Sequence, residues 1–111
     1  MLRNRKVYIV GSWMIYEDNV KSALRELELV IVTEVEKADI IITFNSGGNT
    51  ASMQAIGRMI SRRQLPRLKR ILVLDPISRN PTKIFKFLPR SLRRHFYAPS
   101  ADLANAISSN L

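Results

Sequence analysis

Two runs constrain this chain more than anything else in it: "DIIITF" at 39–44 and "ILVLDP" at 71–76. Each is apolar along its length instead of alternating with polar residues. Such a strand has no face to turn toward water, so it belongs inside a sheet covered on both sides, and that is the situation of a parallel sheet under helices. Pro76 ends the second run, because the residue before a proline is restricted and proline offers no ladder donor.

The segments between the runs fit the same scheme. "KVYIVG" (6–11) is a β-branched and aromatic run closed by Gly11, and reads as a first strand. "YEDNVKSALRELEL" (16–29) places Val20, Ala23, Leu24 and Leu27 at helical spacing, with Glu17 and Asp18 where the helix dipole favours acids. "LVIVT" (29–33) is a second strand, and "EVEKA" (34–38) a connector of about one helical turn. It is short for a parallel crossover, which normally takes a dozen residues or more, so short strands with one turn between them are expected here. "TASMQAIGRMISRR" (50–63) is a helix with Ala55–Ile56 and Met59–Ile60 in its apolar stripe and Asn49 or Thr50 as N-cap. Gly57, in mid-helix, costs about 1 kcal/mol relative to alanine; close packing of this helix on the sheet would account for it. A basic turn (65–70) leads to the strand at 71–76. Residues 77–94 are irregular, with Ile84, Phe85, Phe87 and Leu88 as one apolar patch. "HFYAP" (95–99) reads as an edge strand with His95 at the surface. "SADLANAISSNL" (100–111) reads as a terminal helix capped by Ser100. Strands alternating with helices predict one three-layer α/β domain: a mostly parallel sheet of four or five strands with helices on both faces.

At 111 residues, 46% apolar and 24% charged, the chain has the size and mixture of a single globular domain. It has no cysteine and one histidine, so neither a disulfide framework nor a metal cluster is expected. No apolar run reaches the length of a membrane span, and the basic-then-apolar start reads as a strand, so a cytoplasmic protein is expected.

In an open parallel sheet, ligands bind beyond the carboxyl ends of the strands. Three loops converge there: Gly11, Ser12 and Trp13 after the first strand, Ser46, Gly47, Gly48, Asn49 and Thr50 after the third, and Asp75 ending the fourth. The glycines would let backbone amides approach a phosphate, ribose or carboxylate, at the N-terminus of a helix; they equally suit a plain connection. Trp13 and Tyr16 can stack on a base or close the edge of the core. Asp75 can bond a ribose or cap the turn before Pro76. Neither GxGxxG nor GxxxxGK[ST] occurs, and no cofactor is expected.

The net charge of +9 is unevenly placed. Residues 1–57 hold six Lys/Arg and seven Asp/Glu, whereas 58–111 hold twelve Lys/Arg against Asp75 and Asp102 alone. Arg58, Arg62, Arg63, Arg67, Lys69, Arg70, Lys83, Lys86, Arg90, Arg93 and Arg94, with Phe85 and Phe87 among them, are candidates for contact with nucleic acid or an acidic partner.

"KVYIVGSW", "ADIIITF", "SGGNTASMQAIG" and "ILVLDP", in that order over about residues 6–76, resemble the nucleoside 2-deoxyribosyltransferase-like group and the wider lysine-decarboxylase-like nucleotide phosphoribohydrolases. The resemblance implies a small Rossmann-like domain that binds a nucleoside or nucleotide, often as a homo-oligomer with shared sites, and that cleaves or exchanges an N-glycosidic bond. A Glu on the helix after the glycine loop does the essential work in those enzymes, meeting an oxocarbenium-like centre. Here that slot falls on Met53, Gln54 or Ala55, and 50–63 contains no acid. The pocket is implied without its nucleophile, unless Glu17, Asp18 or Asp75 takes the part.

Overall fold

A computed structural model describes residues 4–13, 15–79 and 84–111. The run at 39–44 forms β3 (Ile40–Phe44), every residue of which is buried. It lies between β1 (Lys6–Val10) and β4 (Arg70–Asp75). Two further strands, β2 (Val30–Ile31) beyond β1 and β5 (Arg93–Tyr97) beyond β4, complete a sheet of order β2-β1-β3-β4-β5 in which every pairing is parallel. The fold is Rossmann-like α/β.

The continuous apolar runs are explained by the two-residue period of a strand. Ile40, Ile42 and Phe44 of β3 join Leu72 and Leu74 of β4 in one core, roofed by α1 (Tyr16–Glu26) and α3 (Leu103–Ser109). Ile41, Ile71 and Val73 point the other way, into a core roofed by α2 (Thr50–Ser61) and Phe85–Leu88. Full burial of each such side chain contributes roughly 1.5–3 kcal/mol. Thr43, the polar member of β3, is satisfied internally: its hydroxyl donates to the Val10 carbonyl at 3.0 Å.

The short connector works as expected. Val35–Lys37 makes a single 3-10 turn, β2 shrinks to two residues, and Val32 and Val35 pack on the α2-side core. Asp39, at the amino end of the sheet, accepts from the Lys6 amide at 2.9 Å and so ties β1 to β3 away from the strand-end loops. Both long helices end in a left-handed residue that is not glycine, Glu28 (φ 59°) and Arg63 (φ 58°). At the end of α2 the amides of Gln64 and Arg63 reach back to the carbonyls of Met59 and Ile60, a Schellman closure.

Five local expectations are corrected. Ala55 is exposed; α2 buries Met53 and Ile56. Gly57 is not pressed on the sheet: a Cβ there would meet the Phe87 ring at 3.3 Å and Leu88 at 3.8 Å, so its missing side chain seats the 85–88 segment against α2. β5 begins at Arg93, two residues before the apolar pattern suggests, because an edge strand tolerates charged side chains. His95 is half-buried within it, its Nε2 2.8 Å from the Ile84 carbonyl. At the C-terminus a 3-10 turn, Ser100–Asp102, leads into α3, and the Ser100 hydroxyl accepts from Asn19 at 3.4 Å instead of capping the helix. Among the described residues no helix is long and apolar enough to cross a membrane.

Candidate functional site

The strand order reverses direction between β1 and β3, and this is the switch point at which an open parallel sheet leaves a crevice. Gly11, just past β1, has φ 77°, and a Cβ built there would lie 2.0 Å from Asn49 Oδ1. Asn49 is buried, and its Nδ2 donates to the Phe44 carbonyl at 3.2 Å. Its side chain thus occupies the space beside Gly11 and does not cap α2. The turn before α2 is held by Ser46, whose Oγ accepts from the Gly48 amide at 3.3 Å, and by Thr50, whose hydroxyl donates to the Gly47 carbonyl at 2.8 Å. Gly47 and Gly48 are exposed, and neither has a positive φ. No atom lies within 4 Å of a Cβ built at Gly47, so what the pair provides is uncovered backbone.

Ser12 is exposed, whereas Trp13 is half-buried against the α1/α3-side core and its carbonyl accepts from the Tyr16 amide at 3.0 Å. Asp75 is 4% exposed. One carboxylate oxygen accepts from the amides of Ile77 and Ser78 at 2.9 and 3.0 Å, and the other from Asn45 Nδ2 at 2.7 Å. Burial works to raise its pKa, but the bonds from Ser78, Ile77 and Asn45 outweigh it and hold the carboxyl below its ordinary value. Three of its roughly four acceptor positions are therefore used in closing the turn after β4. Close by, the Tyr16 hydroxyl donates to the Ala98 carbonyl, and burial, then the Asp75 charge, then Tyr97 push its pKa upward. Arg79 lies over the Tyr97 ring, 5.9 Å from its centre. Of the other acids near this rim, Glu17 pairs with Lys21 at 3.6 Å and Asp18 is exposed in the first turn of α1.

On the α2 face two basic residues of the second half share a groove with an aromatic ring. A groove of about 480 Å³ is lined by Gln54, Gly57, Arg58, Ser61, Arg62 and Phe87. Phe87 is 47% exposed, and its ring meets Phe85 edge-on at 6.1 Å and 71°. Phe85 is buried with φ 58°, an unfavourable backbone for a bulky residue, held here by its place in the core. One residue from Phe87, Lys86 joins Arg90, Arg93 and His95 around a second recess of about 440 Å³. No carboxylate lines either depression among the described residues. Arg93 Nη1 is buried with no acceptor among them.

The remaining basic candidates are placed differently. Arg63, Arg67 and Lys69 are exposed beyond the end of α2. Arg70 donates to the carbonyls of Lys69 and Ser91 at 3.0 and 3.4 Å, and Arg94 to that of Arg93 at 3.0 Å. Lys83 lies outside the described residues. Sequence reasoning missed Gln54, Ser61 and His95 as groove residues; no periodicity marks them, because the groove is made by a distant segment folding onto α2.

Comparison of the chain with known protein families, with characterised proteins and with solved structures yields no match.

Proposed function

We propose that this chain is a single-stranded nucleic-acid-binding domain whose working face is the outer side of α2 together with Lys86–Arg93. The observation that carries the reading is Phe87: a half-exposed ring, braced by Phe85, that lines one groove with Arg58 and Arg62 and shares its segment with the cationic recess of Lys86, Arg90 and Arg93. Cationic side chains follow a phosphate backbone, and an exposed aromatic face takes a base whatever its identity; a duplex would keep its bases out of reach of that ring. The opposite face is unsuited to a polyanion, since the groove between α1 and α3 carries Glu26 and Asp102.

The test is a titration of a fluorescent oligonucleotide over increasing salt. With about five phosphate contacts the logarithmic slope is about −3.5, a loss on the order of a hundredfold between about 50 and 200 mM salt. Binding that ignores salt, or that is matched by polyglutamate of equal charge, overturns the reading.

A second reading, a nucleoside or nucleotide at the switch point, is supported by the uncovered backbone of Gly47 and Gly48. It predicts a ligand-dependent rise in melting temperature with little salt dependence. The absence of an acid in α2 argues for binding there without glycosidic chemistry. A screen of nucleosides and nucleotides that leaves the melting temperature unchanged sinks it.

A further inference from the structure

The recess that begins at Lys86 holds three cationic side chains and an imidazole, lined by no carboxylate among the described residues. Lys86 and Arg90 are exposed, whereas Arg93 and His95 are half-buried. The His95 ring is fixed by its contact with the Ile84 carbonyl, and the Arg93 guanidinium keeps one nitrogen buried without an acceptor among the described residues. Like charges gathered in this way repel one another, and a buried N–H without a partner is costly. The repulsion is relieved by an anion rich in oxygen acceptors.

An internal phosphodiester carries one charge and two free oxygens. A terminal phosphate monoester carries about 1.5–2 negative charges at neutral pH and three strong acceptor oxygens, and suits a multiply cationic recess better. The neighbouring ring of Phe87 is one residue along the chain from Lys86.

We propose that Lys86, Arg90 and Arg93 form a phosphate subsite that takes the terminal phosphate monoester of a single-stranded nucleic acid whose adjoining base stacks on Phe87. This rests on the nucleic-acid reading and narrows it from any single strand to one with a phosphorylated end.

The experiment compares three oligonucleotides of one sequence, labelled internally: 5′-phosphorylated, 3′-phosphorylated and unphosphorylated. One of the two phosphorylated strands is expected to bind about tenfold more tightly than the unphosphorylated strand, through charge-assisted bonds that a hydroxyl end cannot make. Arg93→Gln should erase that difference. Should that variant fold poorly, Arg90→Gln, at an exposed position, serves the same purpose. Equal affinity for all three strands overturns the subsite and leaves the nucleic-acid reading standing. Failure of all three to bind overturns both, including the case in which inorganic tripolyphosphate alone raises the melting temperature. A preference that survives both Arg93→Gln and Arg90→Gln overturns the assignment to this recess.

Discussion

Replacing Arg58 and Arg62 together by glutamate is expected to weaken single-stranded nucleic-acid binding by at least about a hundredfold at physiological salt. The two residues lie four positions apart, Arg58 in the last turn of α2 and Arg62 as its C-cap, and line one groove with Phe87. Removing a charge-assisted hydrogen bond costs roughly 1.5–3 kcal/mol, and each reversal of charge adds repulsion to that. The fold is expected to survive, since both positions are exposed and neither side chain has a hydrogen bond or ion pair to another described group. The cost to α2 is at most about 1 kcal/mol per site, because acids near a helix C-terminus oppose its dipole. Gel-shift or anisotropy titrations beside a thermal melt separate the two effects. An affinity within about threefold of the parent's, against the roughly hundredfold expected when two charge-assisted bonds are removed, would mean that α2 is not the binding face.

The largest effect on stability is expected at Gly11. Its φ of 77° is strained for any L residue, and the Cβ position collides with the side-chain amide of Asn49, which is buried and held by its bond to the Phe44 carbonyl. Gly11→Val combines a β-branched residue at positive φ, about 1–3 kcal/mol, with displacement of Asn49 and loss of its bond to Phe44, a further 1–3 kcal/mol. The sum, about 2–6 kcal/mol, is a large part of what a domain this size has in total. At about 4–8 °C per kcal/mol, the melting temperature should fall by at least about 8 °C. Gly11→Ala paired with Asn49→Ala removes the collision but keeps the backbone strain, and should recover part of the loss. A Gly11→Val protein melting within a few degrees of the parent would mean that the crevice between β1 and β3 accommodates side chains freely.

Much of the fold was legible because β3 and β4 must be apolar on both faces, and a run such as Ile40–Ile41–Ile42 suits little besides a strand covered on both sides. The acids at the start of α1 and the spacing of Val20, Ala23 and Leu24 were equally direct. Legibility failed where a distant segment decides the outcome. Asn49 has the composition of a helix cap, but the space left by Gly11, thirty-eight residues earlier, draws its side chain inward. Gly57 looked like a contact with the sheet, but the partner is Phe87, from a stretch with no regular pattern. β5 starts in two arginines, which no hydrophobic periodicity can register. At the strand ends Asp75 was readable as either ligand or cap; the amides of Ile77 and Ser78 and the Asn45 amide supply the capping bonds. The basic half announced its charge. It did not announce which arginines converge, since Arg70 and Arg94 bond backbone carbonyls while Arg58, Arg62, Arg90 and Arg93 line the two depressions.

The unusual backbone at Phe85 has a kinetic corollary. With that residue sunk in the core, Leu88 buried beside it and Gly57 bringing α2 close, the ring at position 87 is anchored on both flanks before any guest arrives. Little rotational freedom is left for it to forfeit on contact. Capture should then proceed at a speed governed by charge-driven diffusion, with residence time governed by ring overlap, so that altering ionic strength and altering the aromatic side chain act on opposite halves of the rate balance.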